Sequence, residues 1–203
     1  MTSLHAHALT ILITDIGDTA SLIGITAAGA IYLISRGARR AAMFLVTAFC
    51  LSALFIGLLK LAFSGCHHYV HFSGVESPSG HAADSASVFW AYAILMRTQL
   101  EDRRRLLPML LLTLLIIAIA VSRVMLEAHT TPEVIIGLLA GWSALSLARF
   151  FVLRGADPGV FDAYVLAIWG VAAAFITHGM HLPAEDWLRS LAKHLKGHVP
   201  FCG

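Results

Sequence analysis

Two short stretches of this chain hold most of its chemically capable residues. The first is Pro78-Ser79-Gly80-His81. Pro and Gly turn the backbone sharply, and the unbonded N–H groups of a helix that starts there point at whatever lies in front of them, which makes an anion site. The second begins with Ser122-Arg123 and continues to His129 and Glu133. If a helix starts early enough, His129 and Glu133 face each other at i, i+4 spacing. Three other groups are weighed beside them. Asp84, three residues after His81, serves the dipole of the helix it opens, or else favours the acid form of His81. His67, His68 and His71 with Cys66 invite a metal reading, but no carboxylate or second Cys completes a set nearby, so a wet imidazole-rich loop without metal is expected. Asp15-Ile16-Gly17-Asp18 reads as a turn and cap with no part in the chemistry.

The elements that must position these residues follow from composition. Of 203 residues, 58% are apolar and 13% charged, and the mean hydropathy is +0.79, which excludes an ordinary water-soluble protein. Apolar stretches fall at 19–35, 41–62, 82–96, 106–121, 132–152 and 160–180, none with strand alternation. The expected fold is all-α: a bundle of six transmembrane helices forming a single membrane domain over 1–203. Near the end, Pro183, Glu185 and Asp186 open a helix, and Lys193, His194 and Lys196 load its last turn. With Trp187, Leu188, Leu191 and Leu195 on it, this segment is expected to lie flat in the interface. Gly137-x3-Gly141 is expected to let helices pack closely within the chain, a dimer contact being its other use.

Charge sets the orientation. Arg36, Arg39, Arg40, Arg97, Arg103, Arg104, Arg105, Arg149 and Arg154 lie in the first, third and fifth connections, which are therefore expected in the cytoplasm. Both termini and the two motif-bearing loops then face outward. Residues 1–7 lack the cations of a signal peptide and no small-residue cleavage site follows, so this segment is expected to be retained. A net charge of +2, with the basic residues in short loop clusters, gives no sign of nucleic-acid binding. Cys50, Cys66 and Cys202 have no metal-site or disulfide-framework spacing, although a Cys66–Cys202 pair is conceivable in an oxidising compartment.

PSGH followed by Ser-Arg-x5-His-x3-Glu, in that order and two spans apart, resembles the type 2 phosphatidic acid phosphatase (PAP2) family, in its integral membrane lipid phosphatase branch. That family's pattern is Lys-x6-Arg-Pro, PSGH and Ser-Arg-x5-His-x3-Asp, and its membrane members have six transmembrane helices. The resemblance implies roles for individual residues. His129 matches the nucleophile that forms a phosphohistidine, Glu133 its orienting carboxylate, and His81 the acid that protonates the leaving oxygen and then activates water. Lys60, Ser79, Gly80, Ser122 and Arg123 match the phosphate-binding positions. His67 stands where the family has Arg and is expected to touch the phosphate as a weaker or pH-dependent cation, and Glu133 stands where the family has Asp. By itself Lys60 reads as a side chain snorkelling from a span end; in register with the other elements it reads as a phosphate ligand.

The expected activity is thus a metal-independent, cofactor-free hydrolase in a membrane, the inner one if the source is bacterial. It removes a phosphate from a lipid phosphate or diphosphate at the extracytoplasmic face. Two alternatives stand beside it. One is a phosphotransferase using the same nucleophile, and the other is a non-catalytic lipid-binding or transport protein, which His67 in the Arg position favours. Oligomeric state and lipid identity are left open.

Overall fold

A computed structural model describes residues 2–65 and 75–180, together with positions 182, 187 and 190. The expected interfacial helix near the C-terminus lies almost wholly outside the described residues, as do His67, Cys66 and Cys202. Seven α-helices and no strands occur among the described residues: α1 (Thr2–Ile16), α2 (Thr19–Ser35), α3 (Arg39–Gly65), α4 (Gly80–Gln99), α5 (Leu106–Met125), α6 (Thr131–Ala148) and α7 (Ala163–Thr177). A π-helical turn, Arg149–Leu153, prolongs α6. Helices α2 to α7 occupy the six apolar stretches, while α1 is an addition to the sequence-based expectation. Its run of Leu9, Ile11, Leu12 and Ile13 had no cap of its own to announce a separate helix.

Among the described residues, three helices are long and apolar enough to cross a membrane: Arg39–Phe63 in α3, Leu106–Met125 as α5, and Thr131–Leu153 as α6 with its π turn. A fourth crossing results if α1 and α2, bent by 51° at Gly17, act as one span. α7 is apolar but has only 15 residues. α4 is long enough but carries buried Asp84, Ser85 and Ser87. Its polarity has a structural reason, since α4 packs against α2, α3, α5, α6 and α7 and meets protein rather than hydrocarbon. Outside this core, Leu110, Leu114 and Ile117 on α5 and Val171, Phe175 and Ile176 on α7 are exposed, a surface suited to lipid tails.

Three polar side chains inside the bundle find partners on other helices. Ser87 donates to the Ala48 carbonyl at 2.8 Å, Trp90 to Thr113 Oγ1 at 3.0 Å, and the Tyr92 hydroxyl to the Ile25 carbonyl at 2.6 Å. At one end, Asp162 N–H donates to the Tyr32 hydroxyl, Gln99 to the Gly159 carbonyl, and Arg104 to the Tyr164 hydroxyl. Those nine arginines cluster at this end by their chain positions. The other end gathers the close of α1, α3, α5 and α7 with the start of α2, α4 and α6, and both chemical motifs fall there.

Small residues set the α4–α6 contact. A Cβ on Gly137 would meet the Ser79 carbonyl oxygen, and one on Gly141 would meet the Ala83 carbonyl, whose carbon is 2.9 Å away. The two backbones therefore touch, the within-chain use expected of Gly137-x3-Gly141. Gly141→Val is expected to cost at least about 1–3 kcal/mol by overpacking, seen as a lower melting temperature in detergent. Gly57→Val, where nothing lies within 4 Å, is the control and should melt like the parent. Equal melting of the two variants would contradict the close approach.

Candidate functional site

The site is assembled at the end of the bundle where α4 and α6 begin. Thr130 is the N-cap of α6, Pro132 sits in its first turn, and Glu133 is three positions past the cap. That position lets the Glu133 carboxylate reach back, so its Oε2 accepts from the Thr130 N–H at 3.0 Å. The other oxygen, Oε1, accepts from the Glu76 and Ser77 N–H groups at 2.7 and 2.8 Å. The Ser79 N–H donates to the Glu133 carbonyl at 3.1 Å. One residue at the start of α6 therefore fastens the loop that leads into α4.

Oε2 of Glu133 also faces Nδ1 of His129 at 3.0 Å, with both side chains over nine-tenths buried. An ionised carboxylate only accepts, so Nδ1 carries the proton and the lone pair lies on Nε2. The extra methylene of Glu relative to Asp is taken up by the cap geometry. The spacing from Arg123 to His129 has a backbone cause as well. After α5 ends, the Ala128 and His129 N–H groups both donate to the Arg123 carbonyl, at 3.1 and 3.2 Å. Glu127 enters the left-handed region (φ 53°) to make that turn, an uncommon conformation for a residue other than glycine.

Two cations stand close by. Lys60, near the end of α3, is buried at 7% exposure, and its Nζ lies 3.9 Å from where a Cβ on Gly80 would be. The glycine leaves its ammonium beside the first turn of α4, where Ser79 is the N-cap and its Oγ accepts weakly from the Ala82 N–H at 3.4 Å. Arg123 closes α5, and its guanidinium donates to Thr14 Oγ1 at 3.1 Å. Burial holds the His129 imidazole below its ordinary pKa, and the Arg123 and Lys60 cations add to that lowering, against the opposing pull of Glu133. His129 is therefore neutral at pH 7, with a free lone pair on Nε2.

The remaining expected residues divide. His81, in the first turn of α4, turns Nε2 toward Asp18 Oδ2 at 3.7 Å. Asp84 is not its carboxylate: Asp84 points into the bundle and accepts from Ser52 Oγ at 2.6 Å. Ser122 is buried and its hydroxyl donates to the Ile119 carbonyl, 2.7 Å away within the same helix, so it brings no proton to an anion. His67 falls outside the described residues. Thr14 and Asp18, at the α1–α2 break, are the contributors that sequence reasoning passed over. Asp18 is the expected cap, with Oδ1 accepting from the Ala20 N–H at 2.9 Å, but its other oxygen faces the site. Among the described residues no three His, Cys, Asp or Glu side chains converge as a metal site.

Residues 41–157, more than half of the chain, match the model of the PAP2 superfamily. The chain belongs to that superfamily. The matched PAP2 stretch contains Lys60, Ser79, Gly80, His81, Arg123, His129 and Glu133, and it leaves out α1 and α2. PAP2 membership supports a phosphatase, and the apolar helices support a membrane setting. No curated protein and no solved structure matches the chain significantly.

The lowered pKa of His129 is directly measurable. In protein labelled at the histidine rings, the His129 resonance should titrate with a midpoint below the usual imidazole value of about 6.5. Glu133→Gln, which removes the one group pulling the other way, should move that midpoint lower still. A midpoint above the usual value in the parent protein would remove the neutral-imidazole assignment.

Proposed function

We propose that this PAP2 protein is a membrane lipid phosphatase that hydrolyses a lipid phosphate or diphosphate through a phosphohistidine at His129. One observation carries the reading: a buried imidazole held by a carboxylate on Nδ1, so that Nε2 presents its lone pair beside two cations and a helix N-terminus. Phosphoryl transfer asks mainly for positioning and charge stabilisation, and Lys60, Arg123 and the first amides of α4 provide both.

The reaction runs in two steps. Nε2 of His129 attacks phosphorus as the bond to the lipid oxygen breaks, and His81 gives its proton to that oxygen. Neutral His81 then takes a proton from water as the water oxygen attacks phosphorus. The P–N bond breaks, inorganic phosphate leaves, and both histidines regain their starting forms. In this scheme Glu133 keeps the His129 proton on Nδ1 and stabilises the positive charge that develops on the ring. The chemistry needs no metal. Transfer to a lipid hydroxyl instead of water would share every step up to the phosphohistidine.

The substrate's apolar part has a place to lie. A cavity of about 330 Å³ opens among α2, α4, α5, α7 and the end of α1, lined almost entirely by carbon, including Ile16, Phe89, Met96, Leu112 and Val171. Ile16 in that lining is two residues from Asp18, which faces His81. An acyl or prenyl chain fits such a lining, and its polar head would enter the cation-lined end. In this reading α2 to α7 each cross the bilayer, α4 and α7 being sheltered or short enough to escape recognition by hydropathy. The nine arginines at the far end then lie in the cytoplasm, and the site and both termini lie outside.

In detergent with a chelator present, the protein is expected to release inorganic phosphate from one or more of phosphatidate, phosphatidylglycerol phosphate and prenyl diphosphates. His129→Ala should reduce that rate to background. An unchanged rate in the variant would refute the nucleophile assignment. Sidedness has a separate test: in spheroplasts, a membrane-impermeant maleimide should label Cys66 or Cys202 before lysis, and Cys50, midway along α3, should stay unlabelled. Labelling of the outer pair only after lysis would invert the topology.

A further inference from the structure

The α1–α2 break lies outside the stretch matched by the PAP2 model, yet three of its side chains meet the site end of the bundle. Thr14 accepts from Arg123, Asp15 lies 3.8 Å from His178 at the end of α7, and Asp18 faces His81. Gly17 permits this seating. A Cβ there would fall 2.7 Å from Ile119 and 2.9 Å from the Ser85 hydroxyl, so the bend between the helices is pressed directly onto α4 and α5.

We propose that Asp18 is a positioning residue for His81, which it keeps charged so that the ring can deliver a proton to the leaving oxygen. This rests on the assignment of His81 as proton donor made above. The physical need comes from the phosphate cradle itself. Lys60 on α3 and Arg123 on α5 are cations, and both disfavour a third positive charge on a neighbouring imidazole. Glu133 on α6 is taken up by His129 and by backbone N–H groups, and Asp84, one turn further along α4, is taken up by Ser52. Among the described residues, Asp18 is the carboxylate within ion-pair distance of His81. At 3.7 Å the contact is too long for a hydrogen bond, so Asp18 acts by charge. With side-chain exposures of 13% for Asp18 and 21% for His81, little water intervenes to screen the pair.

Asp18 also caps α2, and that makes the charge separable from the fold. Asn caps a helix as well as Asp does, so Asp18→Asn keeps the Ala20 hydrogen bond and removes only the charge. The experiment compares parent, Asp18→Asn and Asp18→Glu in detergent by two readouts. One is the ring titration of His81 in histidine-labelled protein; the other is the pH–rate profile on a lipid phosphate and on p-nitrophenyl phosphate, whose leaving group needs no proton. In Asp18→Asn the His81 midpoint and the alkaline limb of the lipid profile should both move down by about one pH unit, roughly a tenfold loss of rate on that limb. The p-nitrophenyl rate should lose much less, the melting temperature should not change, and Asp18→Glu should restore the limb. An unmoved His81 titration overturns the proposal whatever the activity. A moved titration with an unmoved lipid profile overturns instead the role of His81 as the acid.

Discussion

The site depends on the two oxygens of one buried carboxylate. Glu133 takes the Glu76 and Ser77 N–H groups on Oε1, and the Thr130 N–H and the His129 ring on Oε2. Its carbonyl takes the Ser79 N–H. The loop before α4 and the loop before α6 are more than 50 residues apart in sequence, and this residue makes them one structure. A buried carboxylate with fewer donors would be costly. With four, it is satisfied, and the His129 ring is fixed because all its surroundings are fixed. The Gly137 and Gly141 contacts serve the same junction, since they let α6 approach α4 closely enough for the Ser79 to Glu133 bond to form.

Much of this was legible in the chain before any coordinates. Ser79, Gly80, His81, Arg123, His129 and Glu133 sit in short motifs whose spacing is enforced locally, by a helix cap in one case and a helix end with a capping box in the other. Local geometry of that kind is written in sequence neighbours. The helices at 19–35 through 160–180 were equally legible, because each is a mainly apolar run without strand alternation. What escaped depends on tertiary contact. Asp84 stands three residues after His81, so spacing alone offered it as the partner, yet the side chain turns to Ser52 on α3. Asp18 was legible as a cap, since capping is a local matter. Its second contact joins residues 63 positions apart, and nothing in the neighbouring sequence announces it. Ser122 shows the converse, a motif residue whose hydroxyl is used by its own helix.

The hydropathy of the individual helices follows from where each one sits. α5 shows lipid-compatible side chains around much of its circumference and reads as a span at once. α4 shows none of that, because its neighbours surround it and its surface of Ala and Ser lets them come close. The helix that carries the PSGH turn is therefore the one whose composition looks least like a membrane segment. A bundle that buries its functional helix at the centre hides it from a hydropathy scale.

A final constraint is electrostatic. The proposed chemistry asks two imidazoles in one cationic cradle to hold opposite protonation states, one neutral to attack and one charged to donate. Burial and the Lys60 and Arg123 cations favour the neutral ring at His129. Glu133 counters them only in part, because it shares its oxygens with three backbone N–H groups and so acts more as a clamp on orientation than as a source of charge. At His81 the proposed use of the carboxylate differs: one oxygen of Asp18 accepts from the Ala20 N–H, and the other stands 3.7 Å from the ring, too far for a hydrogen bond and near enough to act by charge. In the proposed scheme the two carboxylates are used differently, the one consumed by the backbone and the other held at a distance from its ring. That difference would give a cap from outside the matched stretch a use at the start of α4 that Asp84, bonded to Ser52, does not serve.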